Sequence, residues 1–179
     1  MIKVSEIMTS PPAVFKTELQ ALVYKTLGEL NILYERVDTD EVITMEDCAA
    51  VDEKLDMKMV KTLFLCSRQK TDFYLFITCG DKPFSSKDFS AAMGIARLSF
   101  APAELMETML GTKIGAATVF SALLPSASDV QIVFDKDVLA KEWYGCSDGT
   151  TTGYMKIKTD NIYHDLMKHA KRTPLTVKV

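Results

Sequence analysis

Apolar residues near the start of the chain recur every three or four positions. They are Leu19, Leu22, Val23, Leu27 and Leu30. This spacing is typical of an amphipathic helix. Thr17 precedes the run and Gln20 follows three residues later, which is the form of a capping box. The pattern therefore predicts a helix over about 18–30. By the same capping logic, Thr44 and Asp47 predict a second helix over about 44–54.

Other stretches alternate or are continuously apolar, as strands are. The runs 61–66 and 73–79 are separated by the polar segment 67–72, which predicts an antiparallel hairpin. Further strands are expected at 32–37, 98–100, 118–124, 130–134, 143–146 and 152–157. Short helices are expected at 86–94, 102–110 and 160–170, the first two closed by glycine.

This order of elements mixes a hairpin with longer crossover connections. Such an order favours an α+β fold with a mixed, mostly antiparallel sheet and helices packed around it. No repeat or flexible linker divides the sequence. We therefore expect a single domain over 1–179, in which 1–16, containing Pro11 and Pro12, form a leader.

Composition narrows the environment and the partners. No apolar run approaches the roughly 20 residues that span a bilayer, and the first residues lack a signal pattern, so we expect no membrane contact. Four widely spaced cysteines predict reduced thiols in the cytoplasm and no metal site. The net charge of −3 and pI near 5.4 argue against DNA binding and for contact with only a small part of any nucleic acid.

Several enzyme classes lack their sequence motifs. The chain contains no GxxxxGK[ST], GxGxxG or GxSxG pattern, so no nucleotide cofactor or serine elbow is predicted. Its two histidines, His164 and His169, are five residues apart and do not share one face of a helix as a metal pair would. Any hydrolysis should therefore proceed without a histidine base and without a cofactor.

Four short motifs occur in a suggestive order. They are L-N-I-L-Y-E at 30–35, V-K-T-L-F-L at 60–65, R-L-S-F-A at 97–101 and G-A-A-T-V at 115–119. Together they resemble the YbaK/PrdX-type family of prolyl-tRNA synthetase-associated editing domains, over about 28–166. The resemblance is greater to the PrdX-like branch.

The resemblance implies a freestanding deacylase that hydrolyses the ester of mischarged tRNA specific for proline, with alanine as the favoured amino acid. Its partners would be the tRNA acceptor end and prolyl-tRNA synthetase. The implied catalytic residues are Lys61, which would contact the terminal phosphate or ribose, and Gly115, whose loop would stabilise an oxyanion through backbone N–H groups. The implied substrate-binding residues are Thr62, Ala116, Thr118, Cys146, Ser147 and Thr151.

The sequence also departs from the family pattern. Thr62 replaces an asparagine, Val119 replaces a proline, and the segment 146–152 replaces a His-Pro motif. These departures keep other hypotheses open: a Cys-tRNA(Pro) deacylase, a weakened or inactive module that binds aminoacyl-tRNA or an amino acid, or a scaffold that only contacts a synthetase.

Each candidate also has a purely structural interpretation. Lys61 without the family match is an edge-strand lysine, and Gly115 is a turn glycine. Cys146 fits a buried, inert thiol better than a nucleophile, because a nucleophilic role needs a nearby cation to stabilise its thiolate. The basic cluster of Lys168, Lys171 and Arg172 fits a solvated helix end better than a contact with the acceptor stem.

Overall fold

The computed structural model describes residues 2–42 and 44–179, and within them the strands form two sheets. The three-stranded sheet is antiparallel, in the order β1 (Tyr34–Asp38), β7 (Gly153–Lys158), β6 (Trp143–Ser147). The five-stranded sheet has the order β4 (Ser99–Phe100), β2 (Val60–Cys66), β3 (Phe73–Cys79), β5 (Val130–Asp135), β8 (Leu175–Val177). β2 is antiparallel to β3 and β4, whereas β3, β5 and β8 are mutually parallel.

The two sheets meet where the chain enters β2. Met59 forms a parallel bridge with Gly145 of β6. A Cβ atom at Gly145 would lie 2.2 Å from the sulfur of Met57 and 3.0 Å from the Lys58 carbonyl oxygen, so a larger residue there would displace the Met57 side chain. β4 and the Ala101 N–H that follows it pair with β2 from Phe64 to Cys66, and no other described strand pairs with this edge of β2 between Val60 and Leu63.

Helices pack on both faces of the sheets. They are α1 (Glu18–Glu29), α2 (Met45–Leu55), α3 (Ser86–Met93), α4 (Ala103–Leu105, continued by the π-helical turn Met106–Leu110), α5 (Lys136–Leu139) and α6 (the π-helical Asn161–Leu166 followed by Met167–His169). Thr17 caps α1, Thr44 and Asp47 form a capping box on α2, and Ser85 caps α3. These caps satisfy N–H groups that have no partner within the helix.

The largest apolar core lies between α1, α6 and the inner faces of the sheets, and includes Leu27, Phe120 and Tyr144. A second core, with Phe76 and Phe89, lies under α3 on the opposite face of the five-stranded sheet. A third core lies under α2. Side chains alternate along β2, so Phe64 enters the first core and Leu65 the second.

The α+β class and the mostly antiparallel pairing are confirmed, with the strands divided between two sheets, of which the five-stranded one is mixed. The predicted first helix and the hairpin also match the observed bounds closely. The strand predicted at 118–124 is wrong, since Val119–Leu123 forms a 3₁₀ helix. A short, fully buried apolar run carries no periodicity that separates strand from helix, and here the Thr118 hydroxyl caps the turn by accepting from the Phe120 N–H.

The predicted leader follows β1, as far as residues 2–16 show it. Val4 and Met8 bridge to Thr39 and Arg36. The guanidinium of Arg36, only 4% exposed, donates through Nε to the carbonyl oxygen of Ser10 at 2.6 Å. This segment is therefore anchored by backbone pairing, whereas the sequence shows only a polar stretch ending in two prolines.

Candidate functional site

A cleft of about 710 Å³ opens where the two sheets meet. Its floor is the open edge of β2, and α2 and the end of β6 form one side. The opposite side consists of Phe100, Met106 and the loop from Ile114 to Ala117. This volume lies within the range of small-ligand sites in proteins.

The rim of the cleft is unusually apolar for an exposed surface. Phe100 is 61% exposed and Ile114 is 71% exposed, although both are large hydrophobic side chains. Lys58 and Asp81 add opposite charges nearby. The cleft therefore offers flat apolar contacts with a few polar groups, which suits a ligand carrying an aromatic ring and a charged end.

Lys61 lines the cleft from β2 and is half-buried. Its ammonium donates to the carbonyl oxygen of Lys82 at 2.6 Å. Lys82 in turn is held by the carboxylates of Asp135 and Asp137, each at 2.8 Å. The bonds among the described residues use one of the three N–H donors of Lys61, so its charge is oriented and still has donors to offer a ligand.

The loop of Gly115 forms a second polar element of the cleft. Gly115 is exposed with φ of +89°, a conformation that favours glycine, while a Cβ there would meet nothing within 4 Å. Ala116 donates its N–H to the Lys113 carbonyl at 3.0 Å. The N–H groups of Gly115 and Ala117 have no acceptor among residues 2–42 and 44–179, so they remain available to an oxyanion.

Two predicted binding residues lie behind the cleft rather than on its surface. Ala116 and Thr118 are 1% and 0% exposed and are outside the cleft lining. The Thr118 hydroxyl donates to the Ser147 carbonyl at 2.8 Å. The prediction that these residues contact the substrate directly is therefore corrected: both support the cleft from behind its surface. Thr118 is buried because the apolar residues that follow it pack in the core.

Thr62 lies on the floor of the cleft and is half-buried. Its side chain lies near the Tyr144 hydroxyl, which is fully buried and makes no contact of hydrogen-bond geometry with the described residues. Burial raises the pKa of Tyr144 well above its usual value. Thr62 therefore stays a binding prediction at the position where the family pattern has asparagine.

Cys146 borders the cleft but is 3% exposed. Burial, and then the nearby charge of Asp148, raises the pKa of its thiol. Both effects disfavour the thiolate, which is the reactive form. The geometry supports the inert-thiol interpretation and places Cys146 in the wall of the cleft.

The segment 147–154, which follows Cys146, is held by hydrogen bonds among its own residues. Ser147, also on the cleft, donates its hydroxyl to the Thr150 carbonyl at 2.7 Å and accepts from the Gly149 N–H at 3.0 Å. The carbonyl of Thr151 accepts from the Tyr154 hydroxyl and from the Val42 N–H. Thr151 lies outside the cleft lining, so it too is placed as an anchor rather than as a direct contact.

Asp148 is a residue whose role the sequence did not reveal. Its side chain is 0% exposed, and one oxygen accepts from Gln20 and Tyr24 at 2.9 and 2.8 Å. The other oxygen accepts from the N–H and hydroxyl of Thr150. A Cβ at Gly153 would lie 2.2 Å from this carboxylate. The sequence signal for a buried Asp148 was therefore its position between small residues, with Gly149 next to it and Gly153 five residues later.

The described part of the chain holds neither a cluster of metal ligands nor a helix that could cross a membrane. No cluster of three or more His, Cys, Asp or Glu side chains there has the arrangement to hold a metal ion. No described helix is both long and apolar enough to cross a membrane.

Comparisons with known proteins agree with the motifs. Residues 39–163 match the family described as "Aminoacyl-tRNA editing domain". The chain is 29% identical over 160 residues to the prolyl-tRNA editing protein ProX of Acetoanaerobium sticklandii, covering 89% of this chain and 94% of that protein. It is 30% identical over 125 residues to prolyl-tRNA synthetase associated domain-containing protein 1 of Mus musculus, covering 69% and 73%.

Solved structures show the same fold. A crystal structure of a candidate trans-editing enzyme for prolyl-tRNA synthetase superposes with a TM-score of 0.64 at 14% identity, covering 92% of this chain and 99% of that one. The family match spans more than half of the chain and includes β2, the Gly115 loop and β6. The chain therefore belongs to the aminoacyl-tRNA editing domain family.

Proposed function

We propose that the protein is a freestanding deacylase that hydrolyses the ester of mischarged tRNA specific for proline, with alanine as the amino acid removed. The observation that carries the proposal is the cleft, where the Lys61 ammonium borders one apolar space together with the N–H groups of Gly115 and Ala117, which have no acceptor in the described part of the chain. Family membership supports the reaction class.

Binding would use both the apolar surface and the hydrogen-bond donors of the cleft. The terminal adenine would lie against the exposed side chains of Phe100 and Ile114, which otherwise leave apolar surface in water. The two remaining donors of Lys61 would bind the terminal phosphate or ribose hydroxyls. These contacts would place the ester carbonyl next to the Gly115 loop.

The chemistry required of the protein is modest because an aminoacyl ester is already activated. Water attacks the carbonyl carbon, and the negative charge that develops on the carbonyl oxygen is stabilised by the N–H groups of Gly115 and Ala117. The C–O bond to the ribose then breaks, and the proton of the attacking water passes to the departing ribose oxygen through the neighbouring hydroxyl. Neither a thiolate nor an imidazole is needed.

Selection of a small amino acid would come from exclusion. The walls near the proposed carbonyl position are built from Ala101, Cys146 and Ser147, and the last two are held rigidly by burial and hydrogen bonds. A rigid wall rejects larger side chains by overlap, whereas one missing methylene changes binding by only about 1–3 kcal/mol. Cysteine, close to alanine in size, is the competing substrate.

The test is deacylation of alanyl-, cysteinyl-, seryl- and prolyl-tRNA specific for proline by the purified protein. We expect alanyl-tRNA to be hydrolysed and prolyl-tRNA to be spared. Lys61→Ala should lower kcat/KM about 100-fold, while Lys87→Ala, at an exposed lysine of α3, should leave it unchanged. Full activity in Lys61→Ala would remove Lys61 from the mechanism.

A second candidate function is a module that binds aminoacyl-tRNA without turnover. It is favoured by the buried thiol of Cys146 and the self-bonded Ser147 at the place of the family's His-Pro motif. Saturable binding of an uncleavable aminoacyl-adenosine with no hydrolysis above background would support it. Association with prolyl-tRNA synthetase stays a prediction that co-purification of the two proteins would test.

A further inference from the structure

The outer face of the three-stranded sheet carries an aromatic and basic patch. Trp143, the only tryptophan of the chain, is 37% exposed at the start of β6. The ammonium of Lys156 lies 4.5 Å from its ring centroid and that of Lys158 lies 5.8 Å away. We call Trp143, Lys156 and Lys158 the Trp143 patch.

The patch is left open by the helix that covers the rest of this face. α2 packs over Val37, Tyr154 and Met57 at the other end of the strands. Glu35 lies 3.8 Å from the ammonium of Lys156 and is itself 43% exposed, so it neutralises that lysine weakly, while the Lys156 side chain is 11% exposed. Two ammonium groups therefore lie beside an exposed ring on a protein whose overall charge is −3, with the carboxylate of Glu142 next to Trp143 in the chain.

The patch and the cleft lie at opposite ends of β6, since Trp143 begins the strand and Ser147, which lines the cleft, ends it. The strand runs from Trp143 to Ser147, a distance of about 13 Å at 3.3 Å per residue. Lys58 lies between them: it is exposed, lines the cleft, and its carbonyl is 3.0 Å from the Cβ position of Gly145. Asp52 faces Lys58 from α2 and offsets part of its charge.

We propose that the Trp143 patch binds the unpaired 3′ strand of the RNA whose terminal nucleotide occupies the cleft. A base would stack on Trp143, and Lys156 and Lys158 would contact phosphates. Stacking on an aromatic side chain flanked by lysines is how proteins hold single strands without reading their sequence. The inference rests on the proposed function, since it takes the cleft as the site of the terminal aminoacyl-adenosine.

The length of β6 and the charge of the surface fit a short single strand better than a duplex. A stacked strand rises about 3.4 Å per nucleotide, so 13 Å corresponds to about four nucleotides of a short unpaired strand. A duplex would lay many phosphates against a surface of net negative charge, whereas a short single strand touches only this basic track.

Because Trp143 is the only tryptophan, its fluorescence reports on the patch directly. The probe is an uncharged RNA hairpin that copies the acceptor stem and carries the unpaired 3′ end, titrated into the full-length protein. We expect the hairpin to quench the emission saturably. The same hairpin without the unpaired end should leave the emission unchanged.

Variants measure the contribution of each group, with affinity read from the anisotropy of labelled hairpin. Trp143→Ala should weaken binding about tenfold, and Trp143→Phe should recover part of the loss. Lys156→Ala with Lys158→Ala should reduce the slope of log affinity against log salt by about 1.4, at 0.7 for each phosphate contact. Lys87→Ala with Lys136→Ala, at exposed lysines of α3 and α5, is the matched control and should leave that slope unchanged.

Several results would overturn the proposal. They are no binding of the hairpin, binding with unchanged tryptophan emission, or unchanged affinity in Trp143→Ala. Loss of prolyl-tRNA synthetase binding in Trp143→Ala with RNA affinity intact would assign the patch to a protein partner and also overturn it. Deacylation by the unmodified protein separates the two claims: activity without quenching refutes the patch alone, and quenching without activity refutes the proposed reaction alone.

Discussion

Two buried carboxylates lie behind the cleft, and they accept hydrogen bonds from different kinds of donor. Asp135 and Asp148 are both 0% exposed. Asp135 accepts from the Lys82 ammonium and the Thr78 hydroxyl, so a positive charge balances it. Asp148 accepts from Gln20, Tyr24 and Thr150, which are all neutral.

The difference shows how each side of the cleft is held in place. The Asp135 network ends at the Lys82 carbonyl, which orients Lys61. The Asp148 network joins α1 to the segment after β6 and so fixes Ser147 at the cleft wall. A carboxylate held by neutral donors depends on every donor, because an unsatisfied buried group costs the full desolvation penalty.

The largest expected effect is therefore the loss of Asp148. Asp148→Ala leaves the buried donors of Gln20, Tyr24 and Thr150 without their acceptor, and should lower the free energy of unfolding by about 4 kcal/mol. Urea unfolding followed by circular dichroism measures this. Asp165→Ala, at an exposed aspartate, should change it by less than about 0.5 kcal/mol. A loss below 1 kcal/mol in Asp148→Ala would mean that water replaces the carboxylate.

Asp135→Asn should have a smaller effect on stability. The amide keeps the shape and one acceptor, and Lys82 retains Asp137 at 2.8 Å, so the loss should be about 2 kcal/mol rather than the 3–5 kcal/mol of a fully buried broken pair. Its effect on activity should be the more visible one: kcat should fall about tenfold, because the Lys82 carbonyl that orients Lys61 is less firmly held. Unchanged kcat would show that Lys61 does not depend on this network.

These networks mark the limit of what the sequence could predict. The helix over 18–29 and the hairpin followed from periodicity and capping, and the family motifs brought Lys61 and Gly115 to one cleft. The roles of Asp148 and Asp135 depend on partners 124 to 128 and 53 to 57 residues away, which local patterns do not encode. The burial of Thr118 and the strand β8 depend in the same way on tertiary packing.

Alkaline pH should separate the two networks further. Burial and Asp148 raise the pKa of Tyr24, and the pKa of Lys82 is raised because its bonds to Asp135 and Asp137 outweigh the opposing effect of burial. Both groups keep their proton in the folded state above the pH, about 10, at which they lose it in the unfolded chain. Their contributions are therefore fully present below about pH 10 and decline above it.

Tyr24→Phe and Lys82→Met should each flatten the alkaline fall in stability. The measurement is the urea midpoint between about pH 8 and 11.5, in parallel with the unmodified protein. At pH 8 Tyr24→Phe should also cost about 1–2 kcal/mol, because one oxygen of Asp148 loses a hydrogen bond. An alkaline slope that is identical in all three proteins would contradict the assignment of these protons.

The smallest expected effect concerns the two buried thiols that accompany the carboxylates. Cys146 lies near Asp148 and Cys79 near Asp135, and burial raises the pKa of both. Cys146→Ala and Cys79→Ala should each cost about 1 kcal/mol of stability through the lost volume. Both should leave kcat/KM for the mischarged ester within about twofold, since neither thiol is in its reactive form. Deacylation could instead be lost in Cys146→Ala while Cys79→Ala stays active and both variants stay folded. That result would make Cys146 a nucleophile and would place the chemistry on the side of the cleft held by the Asp148 network.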